Sequence, residues 1–190
     1  MQNTFLSLLA AAAIGLLPLS ANESIDTTAA KTGATQASQA QPAKAPSFDF
    51  TTTEGKKIEI IETEDGFRFP TLKDKNIIMM FYIYSGKPCR NELKLFTKIK
   101  KSHADLEFVT FELKGLNPEK LKAFEKELAL KDLHMIDTQQ ALPFANYISQ
   151  RAQWQGSVPL LIITDKKGRV KHMQLGAMNE EETEKILKEL

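Results

Sequence analysis

Apolar residues along this chain fall into short, nearly unbroken runs separated by stretches with helical spacing, the pattern of covered strands alternating with surface helices. The clearest run is Asn76 to Tyr84 (NIIMMFYIY), followed by Leu106 to Leu113 (LEFVTFEL) and Pro159 to Thr164 (PLLIIT). The first predicts a strand buried on both faces, the second another core strand and the third an apolar strand. Between the first two, Pro88 to Ser102 places Leu93, Phe96 and Ile99, with Leu95, on one stripe, and proline suits the first helical turn. Asn117-Pro118-Glu119 reads as an N-cap followed by proline, opening a helix with Leu121, Phe124 and Leu128 on one face. Ala141 to Ala152 is helical by spacing, with Phe144, Ala145 and Ile148 in line, and Leu133 to Ile136 is a short strand or extended link.

Weaker signals complete the order. Phe48 to Phe50 and Lys57 to Thr63 are expected as short strands, with Glu64-Asp65-Gly66 a turn. Asp165-Lys166-Lys167-Gly168 is a hairpin turn that returns the chain along Arg169 to Leu175. Asn179 caps a last helix with Thr183, Ile186, Leu187 and Leu190 inward. Strands, then β-α-β-α-β-α, then an antiparallel hairpin and a helix predict a three-layer α/β/α fold with a mixed central sheet.

The N-terminal region has a different texture. Phe5 to Leu19 (FLSLLAAAAIGLLPL) is apolar but shorter than the roughly 20 residues that span a bilayer, and it ends in Pro-Leu-Ser-Ala. It predicts a signal peptide over residues 1–21, cleaved after Ala21, although no Lys or Arg precedes Phe5. The alternative for this stretch is a retained anchor or a buried helix. Residues 22–46, rich in Ala, Thr, Ser, Gln and Lys, are expected to be a linker, because they offer too little apolar surface to offset chain entropy. The domain is expected over residues 47–190. This reading puts the mature protein outside the cytoplasm, in a bacterial periplasm, with no membrane span after cleavage.

Composition narrows the chemistry. A formal net charge of +1 gives no basic excess for a nucleic-acid partner. One cysteine, Cys89, excludes an internal disulfide and a cysteine-rich zinc site, and His103, His134 and His172 lack ligand spacing, so neither metal nor cofactor is expected. By default a lone cysteine is a small buried hydrophobe.

Two segments together give Cys89 a context. Ile77 to Phe96 (IIMMFYIYSGKPCRNELKLF) resembles the thioredoxin superfamily, in particular its exported TlpA-like or redoxin branch. There a buried strand ends in an aromatic-rich turn and then Trp-Cys-x-x-Cys, often with proline before the second cysteine; Pro88, Cys89, Arg90 and Glu92 match. Gly156 to Val170 (GSVPLLIITDKKGRV) resembles the stretch in which a cis-proline opens a strand before an Asp-x-x-Gly turn, with Pro159 as that proline and Val158 before it. The resemblance implies a thioredoxin-like fold with extra N-terminal strands and an inserted β-α unit. It also implies a departure, since Gly86 stands where the attacking cysteine would be and Ser85 where the tryptophan would be. Only the resolving cysteine remains.

One thiol forms a mixed disulfide but cannot release it, because release needs a second thiol. The first reading is therefore a protein of thiol–disulfide homeostasis that uses Cys89 with an external thiol, its partners being protein or peptide thiols and disulfides. The first turn of a helix, flanked by Lys87 and Arg90, favours the thiolate, whereas burial opposes it; Gly86 is expected to thin the cover. The second reading is a redox-inactive module that binds peptides at Gly86, Lys87, Pro88, Val158 and Pro159. The third is a one-cysteine peroxidase, as in peroxiredoxins, although Gly86 replaces their threonine and Tyr82 their upstream proline. Trp154, Tyr82 and Tyr84 are expected to pack rather than react.

Overall fold

The computed structural model describes residues 45–190. The expected signal peptide lies outside them, as does the expected linker except for Ala45 and Pro46. The elements run β1 Ser47–Thr51, β2 Lys57–Glu62, β3 Phe67–Arg68, β4 Asn76–Tyr82, α1 Lys87–Lys100, β5 Leu106–Glu112, α2 Pro118–Leu128, β6 His134–Ile136, α3 Thr138–Ala152, β7 Leu160–Thr164, β8 Val170–Leu175 and α4 Glu180–Leu187.

The central sheet has the order β6-β5-β4-β7-β8, with β4, β5 and β6 parallel and β7 and β8 antiparallel to their neighbours. Its middle strand is buried along its whole length. Because side chains alternate across a strand, β4 feeds two cores at once. Ile77, Met79 and Phe81 point into one with Phe50, Phe111 and Phe144, and Ile78, Met80 and Tyr82 into the other with Leu93, Phe96 and Phe124. Helices α1, α2 and α4 cover the second face, while α3 and the three-stranded sheet β1-β2-β3 cover the first. This is the three-layer mixed α/β/α arrangement that the alternating runs predict. Of the histidines, His134 lies 3.2 Å from Glu107 and His103 lies 2.9 Å from Glu184.

The boundaries differ from the sequence reading in instructive places. Strand β4 stops at Tyr82, because the chain turns there and Gly86 N–H donates back to Ile83 O. Helix α3 starts at Thr138, three residues before the first apolar position of its stripe, since Asp137 caps it by accepting from the N–H groups of Gln139 and Gln140. It also carries Pro143 inside. Strand β3 has only two residues and leaves no periodic signal.

That short strand matters for assembly. Phe67 N–H donates to Gly168 O at 2.7 Å, and Val170 N–H donates to Asp65 O at 2.9 Å, so the turn before β3 and the β7–β8 turn meet main chain to main chain. A Cβ on Gly66 would lie 2.1 Å from Gly168 O, and one on Gly168 would lie 2.2 Å from Phe67 O. Neither position has room for a side chain, and Gly168 also sits at φ +83°.

Candidate functional site

The site follows from how β4 ends. The strand delivers the chain to Ile83–Ser85, and α1 begins with Gly86 as its N-cap residue and Pro88 in its first turn. Lys87 and Pro88 are exposed, whereas Cys89 is directed inward and is 1% exposed. Its sulfur shares the core of Met80, Tyr82 and Leu93. A Cβ placed on Gly86 would stand 3.3 Å from Cys89 Sγ and 3.2 Å from Ile83 Cγ1. Positions 86 and 89 therefore face each other across one helical turn.

Two expectations about the thiol need correction. The missing side chain at Gly86 does not open a path to the sulfur, because Ile83 and the surrounding core close over it. Nor do the flanking cations activate it. Arg90 pairs with Glu127, and its guanidinium carbon lies 5.3 Å over the Phe124 ring, which clamps α1 to α2. Burial pushes the Cys89 thiol up, the nearby Glu92 carboxylate adds to that, and backbone hydrogen bonds at Ile83 and Cys89 oppose it. Burial therefore disfavours the Cys89 thiolate.

Glu92, one turn further along α1, is the chemically unusual group here. It is 1% exposed, its Oε2 accepts from Met178 N–H at 3.0 Å, and its Oε1 has no partner. Burial, and secondarily the Glu182 charge, raise its carboxyl to about 7, while the Met178 bond opposes the shift. It is a motif match in the sequence, but its burial depends on the loop before α4, which no local pattern reveals.

A second buried carboxylate holds the loops beside the site. Glu112, at the end of β5, accepts from Tyr84 N–H at 3.3 Å, Lys114 N–H at 2.8 Å and Leu116 N–H at 3.0 Å, and from the Thr138 hydroxyl. It fixes the turn after β4 against the loop leading to α2. The only sequence hint is a charged residue at the end of an apolar run. A Thr138→Val variant removes one of these donors and the acceptor for Gly115 N–H. Urea denaturation is expected to show a loss of about 1–2 kcal/mol; an unchanged midpoint would mean that the three N–H donors suffice.

The other expected contact residues lie at the opening of β7. The Val158–Pro159 peptide bond is cis. Val158 is half-buried against both cores, including the one that holds Cys89, and Pro159 is buried with its carbonyl accepting from Gly176 N–H at 2.8 Å. Trp154 is buried against Phe81, and its indole N–H donates to Ser157 O, so it braces this loop from within. Tyr82 is buried with its hydroxyl unpartnered, and burial raises its phenol well above the ordinary value. The structure thus gathers Gly86, Cys89 and Val158 around one apolar core, with Lys87 and Pro88 on its rim.

No protein-family model matches the chain. It is 25% identical over 147 residues to the thioredoxin-like protein YneN of Bacillus subtilis, covering 76% of each chain. It is 26% identical over 152 residues to the thiol-disulfide oxidoreductase ResA of Bacillus anthracis, covering 77% of this chain and 76% of that one. The crystal structure of StoA from Bacillus subtilis superposes with a TM-score of 0.56 at 20% identity, over 77% of this chain and 99% of that one. Taken with the sheet order and the turn from β4 into α1, these likenesses give the chain a thioredoxin-like fold and a sequence similar to those of a thioredoxin-like protein and a thiol-disulfide oxidoreductase.

Proposed function

We propose that this is an exported protein of thiol–disulfide homeostasis that works through the single thiol of Cys89. The observation that carries the reading is the facing of positions 86 and 89, 3.3 Å between a Cβ at 86 and Cys89 Sγ, which supports reading the turn as a two-cysteine site with one sulfur replaced by glycine. Kinship with a thiol-disulfide oxidoreductase supports the same class of chemistry. In the reaction, the Cys89 thiolate attacks a disulfide of a protein or peptide. A new S–S bond forms to one sulfur, and the other sulfur leaves as thiolate. An external thiolate then attacks the mixed disulfide and restores Cys89. Lys87, Pro88 and the Val158 backbone would hold the client strand at the rim.

The apolar stretch Phe5 to Leu19 supports export, and a bacterial periplasm is the compartment we assign. Among the described residues, no helix is long and apolar enough to cross a membrane.

A second reading, a redox-inactive module that binds peptides at the same rim, is favoured by the burial of Cys89. Alkylation separates the two. With iodoacetamide, native Cys89 is expected to react at least tenfold more slowly than in the unfolded chain, with a midpoint shifted upward from that of the unfolded thiol. Glutathione disulfide is expected to add slowly and to be released by dithiothreitol. If no reagent reaches the sulfur until the chain unfolds, the thiol reading fails. A Cys89→Ser variant that captures the same partners would support binding alone.

A further inference from the structure

At the other end of the sheet from Cys89 lies a cavity of about 440 Å³. One wall is the β3–β4 connection, residues 68–75, and the other is the β7–β8 turn, residues 165–168. Strand β4 separates the two regions, because the cavity borders its start and Cys89 follows its end, about 20 Å away at the usual rise per residue. The proposed thiol chemistry does not use this cavity.

Its lining is strongly unbalanced in charge. Five cationic side chains face two carboxylates, in a chain whose overall charge is only +1. Asp165 is already committed: it pairs with Arg169 outside the cavity and accepts from the N–H groups of Lys167 and Arg169. Lys166 is paired with Asp105 at 2.8 Å, and Lys75 donates to Ala104 O. Arg68, Lys73 and Lys167 have no ion-pair partner among the described residues, and Asp74 is the one lining carboxylate left to oppose them.

The walls are also fixed in advance. The main-chain bonds between the Asp65–Phe67 and Gly168–Val170 segments join them directly, and the Asp165 carboxylate stiffens the turn that carries Lys167. Between the walls lie Phe69, Pro70 and Leu72. Like-charged groups held together on a rigid frame repel one another, and a bound anion relieves that repulsion while gaining charge-assisted hydrogen bonds. The volume falls within the range of small-molecule sites, about 300–1,000 Å³.

We propose that this cavity is a second binding site, for a small organic anion with a sulfonate, phosphate or carboxylate head and an apolar body. The head meets Arg68, Lys73 and Lys167, and the body rests on Phe69, Pro70 and Leu72.

The test uses the full chain, labelled with ¹⁵N, and 1-anilinonaphthalene-8-sulfonate as the probe. Saturable amide shifts are expected at residues 68–75 and 165–168. In an Arg68→Gln/Lys167→Gln variant, whose native side chains are exposed and make no ion pair among the described residues, the apparent Kd is expected to rise at least tenfold. N-phenyl-1-naphthylamine, the same body without the sulfonate, is expected to leave these amides unmoved. Shifts centred elsewhere, an unchanged Kd in the variant, or equal binding of the neutral analogue would each overturn the proposal. So would sedimentation with phosphatidylglycerol vesicles without any response to the soluble sulfonate, since the cationic cavity would then be a membrane contact.

Discussion

A Gly86→Cys variant is expected to close a disulfide with Cys89 on mild oxidation, turning a one-thiol chain into a dithiol one. A Cβ at position 86 would stand 3.3 Å from Cys89 Sγ, against about 3 Å between a Cβ and the far sulfur of a formed disulfide. The backbone there, φ −79° and ψ 120°, suits any L-residue. The one tight neighbour is Ile83 Cγ1 at 3.2 Å, a side-chain atom that has only a few tenths of an ångström to yield. The oxidised variant should lose the mass of the two thiol hydrogens, titrate no free thiol when unfolded, and recover both thiols with dithiothreitol. It should also release mixed disulfides unaided, as the natural chain cannot. Intermolecular dimers, or two free thiols after oxidation, would falsify the facing arrangement of positions 86 and 89.

The second large effect concerns Glu92 and pH. Its native carboxyl titrates at about 7, against an ordinary value of 4.5. Between these values the native chain keeps a proton that the unfolded chain has lost. Stability therefore falls as pH rises through this window and stays reduced above it. The whole shift corresponds to about 3 kcal/mol, of which about 2 is expected to be measurable because solvent shares in the screening. Glu92→Gln removes the charge and keeps the shape. The variant is expected to match the natural chain near pH 4 and to exceed it by about 2 kcal/mol at pH 8 in urea denaturation. Glu107 does not confuse the comparison. Although burial works the other way, hydrogen bonds from His134 and Lys100 hold it at about 2, so its contribution is lost only as pH falls from 4.5 toward 2, equally in both proteins. A difference that does not change with pH would sink the assignment. Cys89 gives a second reading, since losing the Glu92 charge should make the thiol more acidic.

These two residues mark where the sequence is and is not legible. Strands β4, β5 and β7 can be read directly because a strand covered on both faces is a near-continuous apolar run, with few polar residues such as Asn76, Thr110 and Thr164 in it. The Cys89 neighbourhood and the cis Val158–Pro159 bond can be read through resemblance, because they occupy fixed places in two recognisable segments. The state of the thiol cannot. Helix position and flanking cations are local properties, whereas burial depends on Ile83 and on a core assembled from distant strands. Glu92 and Glu112 escape for the same reason, since their partners include Met178 and Thr138, 86 and 26 residues away. The start of α3 was available in the Asp137 cap, but its apolar stripe begins later and draws attention away.

The glycine seam between residues 66 and 168 has a consequence for how the fold is recognised. Both glycines are held by main-chain oxygens, which no neighbouring side-chain change can move aside. Cys89 is under no such constraint, since the fold closes around a single free sulfur whose near neighbour at the turn is the Ile83 side chain. A pattern keyed to these two glycines therefore reads the packing of the fold, whereas a Cys-x-x-Cys pattern reads only the chemistry carried on it.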